Sequence, residues 1–96
     1  MRRHILVCYD ISDARRLRRV HRIVRDFGDA VQYSVFACRL APQDRAELER
    51  RLLAVIDQRA DQVMLVDLGP ATGAAVPQSR VLGRARMPEL VGVVVV

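Results

Sequence analysis

The chain opens on a short apolar run, Ile5-Leu6-Val7-Cys8-Tyr9, ended by the charge of Asp10. Partly β-branched and bounded by polar residues, it predicts a buried strand. Ser12 or Asp13 then offers an N-cap, and Leu17, Val20, Val24 and Phe27 recur at intervals of three, four and three. That spacing gathers four apolar side chains into one stripe of a helix. Gly28 stands where a C′ glycine would end it. Residues Ala30 to Leu40 have strand composition but are too many for one ordinary strand, which predicts two strands with a tight turn or bulge near Ser34.

Pro42 suits the first turn of a second helix running to about Asp57, with Leu48, Leu52, Val55 and Ile56 inward and Glu47 four residues before Arg51 outside. Asp61 to Leu68 reads as a further strand. The order βαββαβ is the split βαβ plan, an α+β, ferredoxin-like fold. Both crossovers contain a helix long enough to return the chain, as parallel strand neighbours require. Residues 69–79 (GPATGAAVPQS) carry no charge and are rich in Gly and Pro, a linker between a 1–68 core and an 80–96 tail. The tail adds two short strands, Arg80 to Arg86 and Leu90 to Val96, that a four-stranded core does not need. Such strands pair with an exposed sheet edge, their own or a partner's.

Composition narrows the class. Half of the 96 residues are hydrophobic, so a packed core is expected, but a chain this short buries a modest fraction of its surface and suits an oligomer. The net charge is +5, and all 16 basic residues are arginine. Without lysine there is no Walker A lysine, Schiff-base lysine or lysine general base. Codon usage in a GC-rich genome favours arginine, and so does bidentate phosphate binding. The basic balance points to an acidic partner, nucleic acid before anionic membrane. Aromatic residues are too few for an extended stacking platform for single-stranded bases. Asp10 interrupts the first apolar run too early for a secretory h-region, and no run approaches a membrane span, so a cytoplasmic location without membrane contact is expected. Cys8 and Cys38 are too few and too far apart for a disulfide scaffold or a zinc site.

Most catalytic patterns are missing. The glycines match no phosphate-loop spacing, and His4 and His21 form no ligand pair. His21, at the edge of the first helix's apolar stripe, reads as a packing or surface residue, and the cysteines read as small buried hydrophobes. Two features remain. Tyr9-Asp10-Ile11-Ser12-Asp13 is an acidic turn at the carboxyl end of the first strand, where a carboxylate suits Mg²⁺ completed by waters and phosphate oxygens; Asp and Ser before a helix are also ordinary caps. The second feature is Arg15, Arg16, Arg18, Arg19, Arg22 and Arg25, with Asp26 the one acid beside them. A solubility face mixes signs, whereas an unmixed one favours a phosphate backbone.

Together, Tyr9-Asp10-Ile11-Ser12-Asp13, the arginines after it and Val31-Gln32-Tyr33-Ser34-Val35-Phe36 resemble the small CRISPR-associated adaptation protein, the second of the two universal Cas proteins. The strand with Asp61 and Val63, and Val81-Leu82-Gly83, fit as well, so the resemblance covers about residues 4 to 83. It implies a ferredoxin-like homodimer that partners the CRISPR integrase, with two Asp10 side chains near the two-fold axis sharing one Mg²⁺. Members of the family are described as metal-dependent endonucleases on RNA or DNA, and as scaffolds that bridge integrase dimers on prespacer duplex DNA. The resemblance carries Tyr9 and Asp10 to the metal, Ser34 and Phe36 to the site lining, and Arg16 and Arg19 to phosphate, with Arg15, Arg18 and Arg22 beside them. Leu17 and Ala30 depart from it, each standing where members carry a base. Apart from Asp13, no carboxylate, histidine or lysine follows Asp10 closely enough in sequence to suggest a general base. The alternative is a catalytically inert or toxin-like ferredoxin-fold module with no CRISPR role.

Overall fold

The computed structural model describes residues 1–72, 77–83 and 93–95. Its first six elements are β1 (Arg3–Asp10), α1 (Ala14–Arg25), β2 (Gly28–Gln32), β3 (Val35–Leu40), α2 (Pro42–Leu53) and β4 (Gln62–Pro70). The four strands form one sheet in the order β2-β3-β1-β4, the ferredoxin-like arrangement expected. One detail differs. All three neighbouring pairs are antiparallel, not parallel. Each helix does return the chain so that the strands it joins run the same way, but β3 inserts between β1 and β2, and β1 between β3 and β4.

Strand periodicity sets the core. In β1, Ile5, Val7 and Tyr9 are buried while the residues between them are not, because successive side chains leave opposite faces. From β3, Phe36, Cys38 and Leu40 join the same face. Val20, Ile23 and Val24 of α1 and Leu48 and Leu52 of α2 close over it, so both helices cover one side of the sheet. Leu17, Phe27, Val55 and Ile56 pack around its margin. Cys38 is the small buried hydrophobe expected, its thiol pushed up to about 11 by burial and then by Asp29. Cys8 lies on the other face and is half-buried.

The helix ends are set by local chemistry. Asp13 is the N-cap of α1, its carboxylate accepting from the Arg16 amide at 3.0 Å. The helix stops at Arg25 on an ordinary right-handed cap, Asp26. Gly28 is therefore not a C′ residue, and the two glycines with positive φ among the described residues are Gly69 and Gly83. Gly28 begins β2 opposite Cys38, where an added Cβ would collide with the Cys38 Sγ and sit 2.5 Å from the Ala37 carbonyl oxygen. The glycine answers a close approach of two strands, not a helix stop. On α2, which ends at Leu53, Glu47 accepts from Arg50 at 2.7 Å instead of pairing with Arg51. Arg51 reaches across to Asp26 at 3.1 Å and lies over the Phe27 ring, fastening α2 to the end of α1.

β4 runs two residues past the expected core boundary, where Pro70 pairs with Arg3 and the Ala71 amide donates to the Arg2 carbonyl at 2.8 Å. Two tail segments, β5 (Ser79–Val81) and β6 (Val93–Val95), pair in parallel as a separate two-stranded sheet. The first expected tail strand, Arg80 to Arg86, stops at Val81, and Leu82 and Gly83 lie outside any strand; its residues 84–86, residues 90–92 and 96 of the second, and 73–76 of the linker lie outside the described residues. Among the described residues no helix is long and apolar enough to cross a membrane.

The Gly28 contact is directly testable. Gly28→Ala places its methyl against backbone that is fixed by the β2–β3 ladder, and overpacking of this kind costs about 1–3 kcal/mol. Urea unfolding monitored by circular dichroism is expected to show that loss with an unchanged m-value.

Candidate nucleic-acid interface and the Asp10 turn

Asp10 ends β1 as an exposed residue, paired across the sheet with Gln62. The turn after it is held from a distance. Asp61, just before β4, accepts from the Ser12 amide at 3.0 Å and the Ser12 hydroxyl at 3.1 Å. It also accepts from Arg16 at 2.7 and 3.2 Å and from the Asp57 amide at 2.9 Å. The Asp61 carboxylate is fully out of water, and the Arg16 side chain is 26% exposed. First the Arg16 hydrogen bond, then the donated amides and hydroxyl, hold the Asp61 carboxyl well below the usual carboxylate range. Arg16, expected at phosphate, is thus engaged in bracing the turn. Asp13 is likewise occupied as a cap, and the Arg16 amide is the main cause of its lowered pKa.

Tyr9 and Asp10 part company. Tyr9 turns under the helices, 6% exposed, whereas Asp10 is exposed. Phe36 is 1% exposed on the same inner face as Tyr9. Alternation along the strands thus sets Tyr9 and Phe36 on the inner face and Asp10 on the outer side of the same strand end.

What Tyr9 holds instead is the β2–β3 turn. Its amide donates to the Ser34 carbonyl at 3.0 Å, and its hydroxyl donates to the Tyr33 carbonyl at 3.2 Å. Ser34 enters through this main-chain oxygen and is half-buried. The Tyr9 hydroxyl also lies 2.8 Å from His21 Nδ1. One hydroxyl hydrogen serves one acceptor, so when it goes to Tyr33, His21 donates through Nδ1–H. Burial, and then the neighbouring Tyr33, push the Tyr9 hydroxyl up to about 12; it remains a neutral phenol at physiological pH. His21 is the residue that sequence reasoning passed over. Its position at the edge of the apolar stripe was the available signal, and its partner lies twelve residues away.

The arginines divide in the same way. Arg15, Arg18, Arg19 and Arg22 are exposed, and so is Arg25. Among the described residues none of these five takes part in a salt bridge, whereas Arg45, Arg50 and Arg51 each face an acid. The result is a one-signed surface on α1 beginning shortly after Asp10. Among the described residues no three His, Cys, Asp or Glu side chains gather as a metal cage. Asp10 as a lone exposed carboxylate is a donor set that suits Mg²⁺, which keeps waters and phosphate oxygens in its other positions.

The Asp61 brace makes a pH-dependent prediction. Because its pKa is lowered on folding, its stabilisation is complete above the ordinary value of 3.8 and drains away as the pH falls from there toward the depressed one. Asp61→Asn is expected to melt at a lower temperature than the native chain at pH 7, with the gap narrowing in acid.

The chain matches the family model described as CRISPR associated protein Cas2 over residues 2–73. It is 42% identical over 66 residues to a Rhodospirillum rubrum protein named CRISPR-associated endoribonuclease Cas2 1, a match spanning 69% of this chain and 65% of that relative. Its fold matches the crystal structure of a hypothetical protein TT1823 from Thermus thermophilus with a TM-score of 0.73 and 30% identity, over 93% of this chain and all of that one. It also matches the crystal structure of Streptococcus pyogenes Cas2 at pH 6.5, with a TM-score of 0.65 and 34% identity over 69% of this chain and 86% of that one. The reading as a ferredoxin-fold module unconnected with CRISPR is set aside by these matches. With three-quarters of its residues inside the family model, the chain belongs to the CRISPR-associated Cas2 family.

Proposed function

We propose that this protein is a dimeric nucleic-acid-binding subunit of the CRISPR spacer-acquisition machinery, which bridges integrase dimers on prespacer duplex DNA. The observation that carries the reading is the row of five exposed arginines on α1 with no acid paired to them among the described residues. Unmixed guanidinium groups on one helix suit a phosphate backbone, which they contact without reading sequence. Family membership supplies the CRISPR context.

Dimerisation rests on the sheet. Leu6, Cys8, Ala37, Met64, Val66 and Leu68 alternate with the core residues and so share the face opposite the helices. Met64 is 49% and Leu68 43% exposed. A one-sided antiparallel sheet normally turns polar residues outward; an apolar outer face suits a self-complementary contact about a two-fold axis. Two copies would double the arginine surface and offer one Asp10 each.

The name of the Rhodospirillum rubrum relative motivates the nuclease side of the reading. In it, Asp10 together with the Asp10 of a second copy would hold one Mg²⁺. Such an ion would supply an acidified water and offset phosphoryl charge. The arginines orient the phosphate backbone, and Ser12 and Asp61 keep the Asp10 turn in place.

Two measurements test this. Affinity for a prespacer-length duplex is expected to fall steeply with salt, and replacing Arg18, Arg19 and Arg22 with alanine should lower the log–log slope by about 0.9 per lost contact; a salt-independent affinity would sink the arginine reading. Phosphodiester cleavage that requires Mg²⁺ is expected to vanish in Asp10→Ala while duplex binding persists. For the dimer itself, Val66→Glu is expected to give a monomer by light scattering.

A further inference from the structure

The geometry points to Tyr33 as a stacking site for one unpaired nucleobase, a finer specification that rests on the nucleic-acid reading of α1. Three rings form a column from core to solvent. Phe36 is buried; His21 meets it edge-on at 5.3 Å and 75°; Tyr33 stacks on His21 at 5.8 Å and 27°. The inner face of Tyr33 is thus taken by the imidazole, yet the residue is 59% exposed. A single exposed aromatic is ordinary. One whose inner face is already stacked presents its outer face in a fixed plane.

The backbone beneath the ring is fixed as well. Tyr9 takes the carbonyls of both Tyr33 and Ser34, and its hydroxyl meets His21. A ligand that stacks here does not have to order the turn, which removes part of the usual cost of binding. Arg18 stands three residues before His21 and Arg25 four after it, so both share its side of α1. Exposed and without a salt bridge among the described residues, they put positive charge on the side of α1 that carries His21. An aromatic face beside cations is the combination that holds single-stranded nucleic acid, the ring taking a base and the cations its phosphates. Stacking tolerates any base. A paired base inside a duplex offers no face, so the ligand is a nucleotide in a single strand or at a frayed end. The scarcity of aromatic residues rules out a long platform, not one stacked base.

The chain has two tyrosines and no tryptophan, which makes the test direct. The full-length protein is titrated with a single-stranded DNA oligonucleotide and with the same backbone made abasic throughout. The intact strand is expected to quench tyrosine emission and to bind at least about fivefold more tightly than the abasic one. Tyr33→Phe should keep that preference but lose the quenching, whereas Tyr33→Ala should bind both strands equally. Blunt duplex binding should be the same in all three proteins, which separates this site from the arginine surface. Equal affinity of the native protein for intact and abasic strands overturns the proposal. So does an unaltered preference in Tyr33→Ala, or a native protein that binds the duplex but not the intact single strand. Failure to bind any of the three nucleic acids overturns the arginine reading and this one with it.

Discussion

A central strand cannot send adjacent side chains to the same side, and at the end of β1 that constraint falls between Tyr9 and Asp10. One enters the core and the other meets solvent. Everything at this end of the molecule follows from the division. Inside, Tyr9 gathers His21 and the Tyr33–Ser34 turn. Outside, Asp10 is left as an exposed carboxylate on a turn that Asp61, just before β4, braces. Two neighbouring residues thus serve two networks, one that builds the scaffold and one that faces a ligand.

The two helices make a similar contrast in charge. On α2 and its surroundings, arginines meet acids within ion-pair distance, at Arg45–Glu49, Arg50–Glu47 and Arg51–Asp26. Exposed pairs of this kind contribute little stability and cancel each other's field. On α1 the field is not cancelled, and it adds along the helix. Arg16 is the exception that fixes the geometry, because its charge is consumed by Asp61.

The helices, the two strands around Ser34 and the ferredoxin-like order were legible in the sequence because period and punctuation are local signals. The apolar stripe from Leu17 to Phe27 and the acid at Asp13 are written within a few helical turns. Gly28 was misread because helix stops and strand contacts use the same residue; the spacing of glycine from a helix does not reveal Cys38 across the sheet. Arg16–Asp61 and Tyr9–His21 were illegible for a different reason. Their partners lie 45 and 12 residues apart, and only the folded sheet brings them together. Likewise the motifs do not show which face of the sheet Tyr9, Asp10 and Phe36 take; strand alternation sets the first and last inside and Asp10 outside.

The grip of Tyr9 on two successive carbonyls bears on how mutational scans of such a protein should be interpreted. Removing the phenol would release the Tyr33 carbonyl, unseat His21 and loosen the strand end from which Asp10 projects. An inactive Tyr9 variant would therefore report a displaced neighbour as readily as a lost reactant. The residue's importance and its participation in chemistry are separate quantities, and here the first is large on structural grounds alone.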